Sequence, residues 1–271
     1  MSLNFAAISP HAPILIPEIG KDDQVKVSDT TLALRKLAHI FGEAEIETLI
    51  VISPHGLIYP DRFNVCAMEK MFGTFAEFGE PNLTFNYSND LELVDEIAQA
   101  TTKENIPVVG YDNRGEFFEM DHGIMVPLYY LEREKEMGLK ILPIAYSGLS
   151  RAEHFAFGQA LGSVVKKYAG RVGIVASGDL SHRLISGAPE SNPEAGKDFD
   201  EQIISDLEKH NVQDVLFYED EFVESAGECG YRSILILLGA LDQMNVTPQK
   251  LSYEGPFGVG YAVINYDVPE S

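Results

Sequence analysis

Cysteine is nearly absent from this sequence. Only Cys66 and Cys229 occur in 271 residues, so a disulfide framework is excluded as the organising principle and a reducing cytosol is expected. Cys66, inside the apolar run RFNVCAM, reads as a small core residue. Basic residues are also scarce: 20 Lys and Arg stand against 42 Asp and Glu, a formal charge of −22. Such a surface repels phosphate backbones and anionic lipid, so neither nucleic acid nor a membrane is expected as a partner. No apolar run is long enough to span a bilayer. The opening MSLNFAAISPHAPILIPEIG lacks a basic n-region and carries prolines, unlike a signal peptide, and a cytoplasmic location is expected. Long Gly/Ser or Pro-rich linkers and repeat arrays are missing too, which predicts one domain over 1–271.

What the chain does contain is apolar substance, 45% of its residues, enough for a sizeable core. Strand-like runs fall at 4–9, 48–53, 63–68, 107–111, 140–146, 172–177 and 260–266. Helix-like stretches lie between them at 28–44, 89–105, 122–137, 151–170 and 196–210. Ser28, Asn89 and Ser150 stand where N-caps are expected. The strand runs do not alternate strictly, which suggests burial on both faces. The pattern predicts an α/β domain with a mainly parallel or mixed central sheet flanked by helices. Residues 69–88 break the rhythm with Gly, Pro and aromatics and read as a hairpin excursion or flap.

Four of the seven histidines recur in similar settings. His11 follows NFAAISP and His55 follows TLIVISP, in two nearly identical phrases, AAISPHAPI and LIVISPHGLI. His182 follows VGIVASGDLS, and His122 opens the helical stretch after GEFFEMD. Three of the four therefore sit just past the C-terminal end of an apolar strand, the edge at which open α/β sheets bind ligands. A Ser-Pro exit is stiff, because proline fixes its own φ and restricts its neighbour. Stiffness suits a metal ligand. A lone strand-end histidine is more often a bonded loop residue, but the duplicated phrase favours metal for His11 and His55. His39, His154 and His210, on helical stretches among charged residues, read as surface or partly buried fillers.

The third ligand is open between Glu228 and Cys229, which precede a very apolar helix. Two histidines and a carboxylate make the facial triad of non-haem Fe(II) oxygenases; two histidines and a thiolate make a softer site, suited also to Zn or Cu. His122 and His182 are then spare imidazoles suited to proton transfer. Asp121 and Asp179 lie beside them, either to orient them or to cap a helix or turn.

These residues carry a family resemblance. SPHAPIL (9–15), SPHG (53–56), DHGIMVPL (121–128), SGDLSHRL (177–184), GKDFDEQI (196–203) and ECGYRSILILLGAL (228–241) together resemble the LigB-type class III extradiol ring-cleavage dioxygenases, in order along nearly the whole chain. The resemblance implies Fe(II) held by His11, His55 and Glu228, His182 as catalytic base and His122 as a second active-site acid or hydrogen-bond donor. It implies a catechol-like aromatic diol and O₂ as substrates. Tyr231 and Arg232 are near enough to Glu228 in sequence to contact that substrate, although helix packing is the simpler expectation for both. A homo-oligomer is the expected assembly. ECGYRSILILLGAL and YEGPFGVGYAV (253–263) look closer to the Memo-like branch of AmmeMemoRadiSam-type systems. That branch implies Cys229 as third ligand, with Zn or another divalent metal in place of iron and a redox or partner-binding role.

Overall fold

A computed structural model describes residues 2–112, 115–131, 138–186 and 192–269. Its centre is an eleven-stranded mixed sheet. The heart of the sheet is formed by β1 (Leu3–Ser9), β2 (Thr48–Ser53), β8 (Lys140–Ala145) and β9 (Val172–Ser177), in the spatial order β1-β9-β2-β8 and all parallel. Two antiparallel strands, β11 (Tyr261–Asp267) and β10 (Thr247–Glu254), extend the sheet beyond β1. On the other side, β8 meets the antiparallel pair β4 (Lys70–Phe75) and β5 (Glu80–Ser88), while β3 (Phe63–Cys66) pairs with β8 and with β6 (Val108–Tyr111); the short β7 (Phe118–Glu119) lies beside β4.

Side chains on a strand alternate between its two faces, and here both faces are buried. Ala6 and Ile8 of β1, with Ile50 and Ile52 of β2, enter one core beneath α3 (Leu91–Lys103), α5 (Arg151–Val165), α6 (Pro193–Glu208) and α9 (Tyr231–Ala240). Phe5 and Ala7, with Leu49 and Val51, enter the opposite core beneath α2 (Ser28–Glu43) and α4 (His122–Leu131). The sandwich of helices, sheet and helices explains why the central runs are continuously apolar.

The expected single α/β architecture with a mixed sheet is the one observed, and 69–88 is the antiparallel hairpin β4–β5. Details of the helices differ from expectation. Ser150 forms a complete capping box with Glu153. Ser28, by contrast, is the first helical residue after Val27 and makes no cap bond. Asn89 is also no cap, because its amide donates to the carbonyls of Cys66 and Met68 while its Oδ1 receives the Asp90 N–H. The helix read over 122–137 runs from His122 to Leu131, and 132–137 lie outside the described residues. The strand β10 was not read from the sequence, since its burial is mixed and it carries Pro, Gln and Lys. Cys66 is buried, as expected. Among the described residues, no helix is long and apolar enough to cross a membrane.

Candidate metal centre

The parallel order brings the C-terminal ends of β1, β2 and β9 to one edge, and His11, His55 and His182 leave from them. His122 reaches the same place from the N-terminus of α4. One ring nitrogen from each of His11, His55 and His122 lies within 4.8 Å of the others, a grouping able to hold a metal ion. The Nε2 atoms of His11 and His55 are 3.0 Å apart. His11 is buried, His122 is intermediate and His55 is exposed, so the cluster is closed below and open above.

Two serines that end strands set these rings. Pro127 sits inside α4 and has no N–H, so the carbonyl of Gly123 four residues earlier loses its helical donor. The Ser177 hydroxyl donates to that carbonyl at 2.5 Å. Its only proton is thereby used, and it must accept from Nδ1 of His11, 3.0 Å away. His11 is thus an Nδ1–H tautomer whose Nε2 lone pair faces the cluster. At the end of β2, Ser53 receives the His55 backbone N–H and donates its hydroxyl to Asp121 at 2.6 Å. A Cβ on Gly123 would come within 2.3 Å of the Ser53 hydroxyl and 3.4 Å of the His55 ring, so only glycine allows α4 to start this close.

Asp121 takes the helix-cap role allowed for it, and Asp179 serves a histidine other than its neighbour. Asp179 accepts the backbone N–H of His11 at 2.9 Å instead of orienting its neighbour His182. Asp121 caps α4 through the Ile124 N–H, and its charge acts on His55. Burial lowers the pKa of all four imidazoles, and His11 is held down further by His55, His122 and His182. His182 is therefore near enough to interact with His11 and His55, on an exposed ring. Burial also raises Asp179 to about 7. With His11 neutral, the 3.9 Å approach of Asp179 to its Nε2 is a contact between polar groups more than an ion pair.

Of the two candidates for third ligand, Cys229 is the nearer to the cluster, with Sγ 3.6 Å from His11 Nε2. Its loop is clamped to the end of β9: Cys229 and Gly230 N–H groups point at the Asp179 carbonyl, and Asp179 N–H at the sulfur. A Cβ on Gly178 would lie 2.1 Å from the Gly230 Cα, so the two glycines permit this clamp. Burial pushes the Cys229 thiol far up. Neither Cys229 nor Glu228 belongs to the three-histidine grouping; the Glu228 carboxyl, raised to about 7 by burial, accepts the Tyr231 N–H at 2.5 Å at the start of α9 and faces a neighbouring cleft. Tyr231 spends its hydroxyl on the Val215 carbonyl and is buried, whereas Arg232 lines the cleft. His39 is exposed and His210 intermediate; His154 is fully buried, bonded to the Ser150 carbonyl and the Ser147 N–H.

Sequence reasoning missed Ser177, and read the hairpin without seeing that it reaches the site. The ring of Phe78, between β4 and β5, is 5.6 Å from that of His122, whose pKa burial lowers while Glu77 beside Phe78 partly opposes the lowering. The one available signal for Ser177 was that β1, β2 and β9 all end in serine.

An α/β sheet thus gathers imidazoles at the carboxyl edge of its parallel strands, in a grouping that could hold a metal ion. The chain belongs to the LigB family: residues 5–264 match the family described as the catalytic LigB subunit of aromatic ring-opening dioxygenase. It is 35% identical to a Clostridium acetobutylicum protein over 98% of its own length, and spans 58% of that longer relative. It is 22% identical to the 3,4-dihydroxyphenylacetate 2,3-dioxygenase of Escherichia coli, covering 73% of this chain and 75% of that one. A MEMO1 family protein of Methanosarcina barkeri is 26% identical, covering 85% and 92%. The fold is that of an uncharacterized Escherichia coli K12 protein, with a TM-score of 0.65 at 19% identity over 96% of this chain and 98% of the other.

Two predictions follow from the hydrogen bonds around His11. Ser177→Ala removes the acceptor that selects the Nδ1–H tautomer; ¹⁵N NMR of the metal-free protein is expected to show His11 mainly in that form in the wild type and mixed in the variant. Asp179 tests the burial. Its folded pKa lies above the unfolded 3.8, so the folded state holds the proton more tightly and ionisation costs stability as pH rises. Asp179→Asn escapes this cost. Its stability relative to wild type, measured by denaturant unfolding without metal, should therefore improve by on the order of 2 kcal/mol between pH 5 and pH 8.

Proposed function

We propose that the histidine cluster holds a divalent metal, Fe(II) in the leading reading, and that the chain is an extradiol-type dioxygenase acting on a small aromatic diol and O₂. The observation that carries the proposal is the pair of Nε2 atoms 3.0 Å apart, His122 beside them, in a chain of the LigB family. Without metal, an Nε2–H of neutral His55 can donate to the Nε2 of His11; with the His55 proton on Nδ1 instead, both Nε2 lone pairs face the point a cation would occupy, and the lowered pKa values keep both rings neutral as ligands must be. Imidazole donors suit Fe, Zn, Cu and Ni alike. When bound, the metal would supply a Lewis acid and open positions for two substrate oxygens and O₂.

The protein residues then have distinct tasks. His11 and His55 hold the metal, with Ser177 and Ser53 fixing their orientation. His182, exposed and with a lowered pKa, is neutral at pH 7 and takes a proton from a diol hydroxyl on its ring nitrogen. His122 is either the third donor or the acid that returns a proton as the ring opens. Phe78 offers an apolar wall over this position.

A second reading is favoured by one observation. Cys229 Sγ is 3.6 Å from His11 Nε2, while Glu228 is engaged at α9. A His/His/Cys centre is softer and fits a Memo-like metal protein with a different redox or partner-binding role.

Metal analysis of purified variants separates the readings. His11→Ala and His55→Ala are each expected to lose stoichiometric metal with the fold intact by circular dichroism; full occupancy in both would sink the assignment. Loss of metal in Cys229→Ala but not in Glu228→Ala would favour the second reading, and the reverse the first. His182→Phe should keep its metal and lose O₂ consumption with catechols by roughly 10²–10⁴-fold. Near-normal turnover in that variant rules His182 out as the base.

A further inference from the structure

A small cavity lies between the ends of β2, β3 and β8 and the start of α4, bounded by Ser53, Asn64, Asp121, Ile124 and Ala145. The space in which the centre of a water molecule can lie is about 10 Å³, close to what one water requires. The cavity has a local cause. Phe63 and Val65 of β3 enter the core beneath α3 and α5, so Asn64 between them points to the opposite face. Its partner on β8 is Ala145, whose side chain is too short to fill the space.

Two of the lining residues carry a buried oxygen with no hydrogen-bond partner. Asn64 is 4% exposed, and its amide donates to the Leu57 carbonyl at 2.9 Å. That bond fixes which amide atom is nitrogen, and the remaining Oδ1 is unmatched. Asp121 accepts from the Ser53 hydroxyl and the Ile124 N–H through Oδ1, while its Oδ2 is unmatched. The wall around them, including Phe118, Ile124 and Ala145, offers no side-chain donor. Two buried acceptors left dry would be costly. An empty cavity is stable when its lining is apolar, and this lining is not.

We propose that the cavity is a binding site for one structural water, which donates one proton to Asp121 Oδ2 and the other to Asn64 Oδ1. A single water has two O–H groups, so it satisfies both acceptors at once. Two unmatched oxygens are few for a hard cation, which takes about six. The water makes Asp121 a tie with two ends. One oxygen holds Ser53 and the first turn of α4, and the other is anchored through the water to β3. Asp121 is thereby kept against Ser53, whose oxygen receives the His55 N–H. Asn64 is thus a positioning residue for the exit of His55, acting through the water, Asp121 and Ser53.

Two measurements on the full chain test this. A high-resolution crystal structure locates internal waters, and ¹⁷O and ²H relaxation dispersion counts the long-lived ones in solution. The wild type is expected to show a water within hydrogen-bond distance of both oxygens. Asn64→Leu removes one acceptor and fills the space. It is expected to lose that one water and to speed hydrogen exchange of the His55 and Ile124 backbone N–H groups by about 10-fold, the factor of one hydrogen bond. Asp121→Asn is expected to keep the water, because its amide can donate to the water oxygen while the water still donates to Asn64. A dry cavity, a direct contact between Asp121 and Asn64, or a rubidium ion bound there in a soaked crystal overturns the water site. Loss of the water in a folded Asn64→Leu with unchanged exchange at His55 and Ile124 overturns the positioning role. If Asn64→Leu does not fold, the wild-type structure and Asp121→Asn decide the water site, and loss of the water in Asp121→Asn overturns it.

Discussion

The site depends on one hydroxyl proton. Ser177 has a single O–H, and α4 claims it because Pro127 leaves the Gly123 carbonyl without its helical partner. The serine oxygen is then an acceptor only, and that determines which nitrogen of His11 carries hydrogen. A helix imperfection on one side of the sheet thus sets the tautomer of a buried imidazole on a strand end. The same bond ties α4 to β9, so the starting point of α4, the position of His122 and the orientation of His11 are not independent. Gly123 is part of this constraint, since a side chain there would push α4 off Ser53 and His55.

Electrostatics at the centre run against those of the chain. The protein carries a formal charge of −22, yet four imidazoles converge where burial lowers the pKa of each, helped at His11 and His55 by the neighbouring imidazoles. The nearest buried carboxyl, Asp179, is raised to about 7 and is engaged with a backbone N–H. Neutral nitrogen donors with a titratable carboxyl at their back make an environment that a cation would reorganise, because a bound cation lowers the pKa of the groups around it. In the cleft beside α9, Arg232 sets its positive charge near Glu228 and over the ring of Tyr146.

Much of this was legible along the chain. Continuous apolar runs announced strands covered on both sides, and the repeated strand–Ser-Pro-His phrase marked His11 and His55 as partners, since identical exits from parallel strands deliver side chains to the same edge. The 69–88 segment read as a hairpin because its turn residues interrupt the helix–strand rhythm. What misled was sequence adjacency. Asp121 fills the helix-cap role that the sequence allowed, whereas Asp179, beside His182 along the chain, meets the His11 backbone on the neighbouring strand. Glu228 was drawn to α9 for a similarly local reason: a carboxylate three residues before a helical N–H finds that donor first.

The sequence by itself determined the two-sided burial of the central strands, the number and type of imidazoles, their exit points, the excess of acid and the family to which the chain belongs. These follow from residue type and spacing, which short-range sterics convert directly into strands, turns and exits. Only the tertiary structure decided which groups face one another: Ser177 with His11, Asp179 with the His11 backbone, Cys229 beside the cluster, Phe78 over His122, and Arg232 with Arg151 and Glu228 in one cleft. Those pairings join residues up to 218 positions apart, and their geometry comes from strand order and from close glycine contacts such as Gly178 on Gly230. No local pattern encodes such distances, because they are set by how the two faces of one sheet are packed.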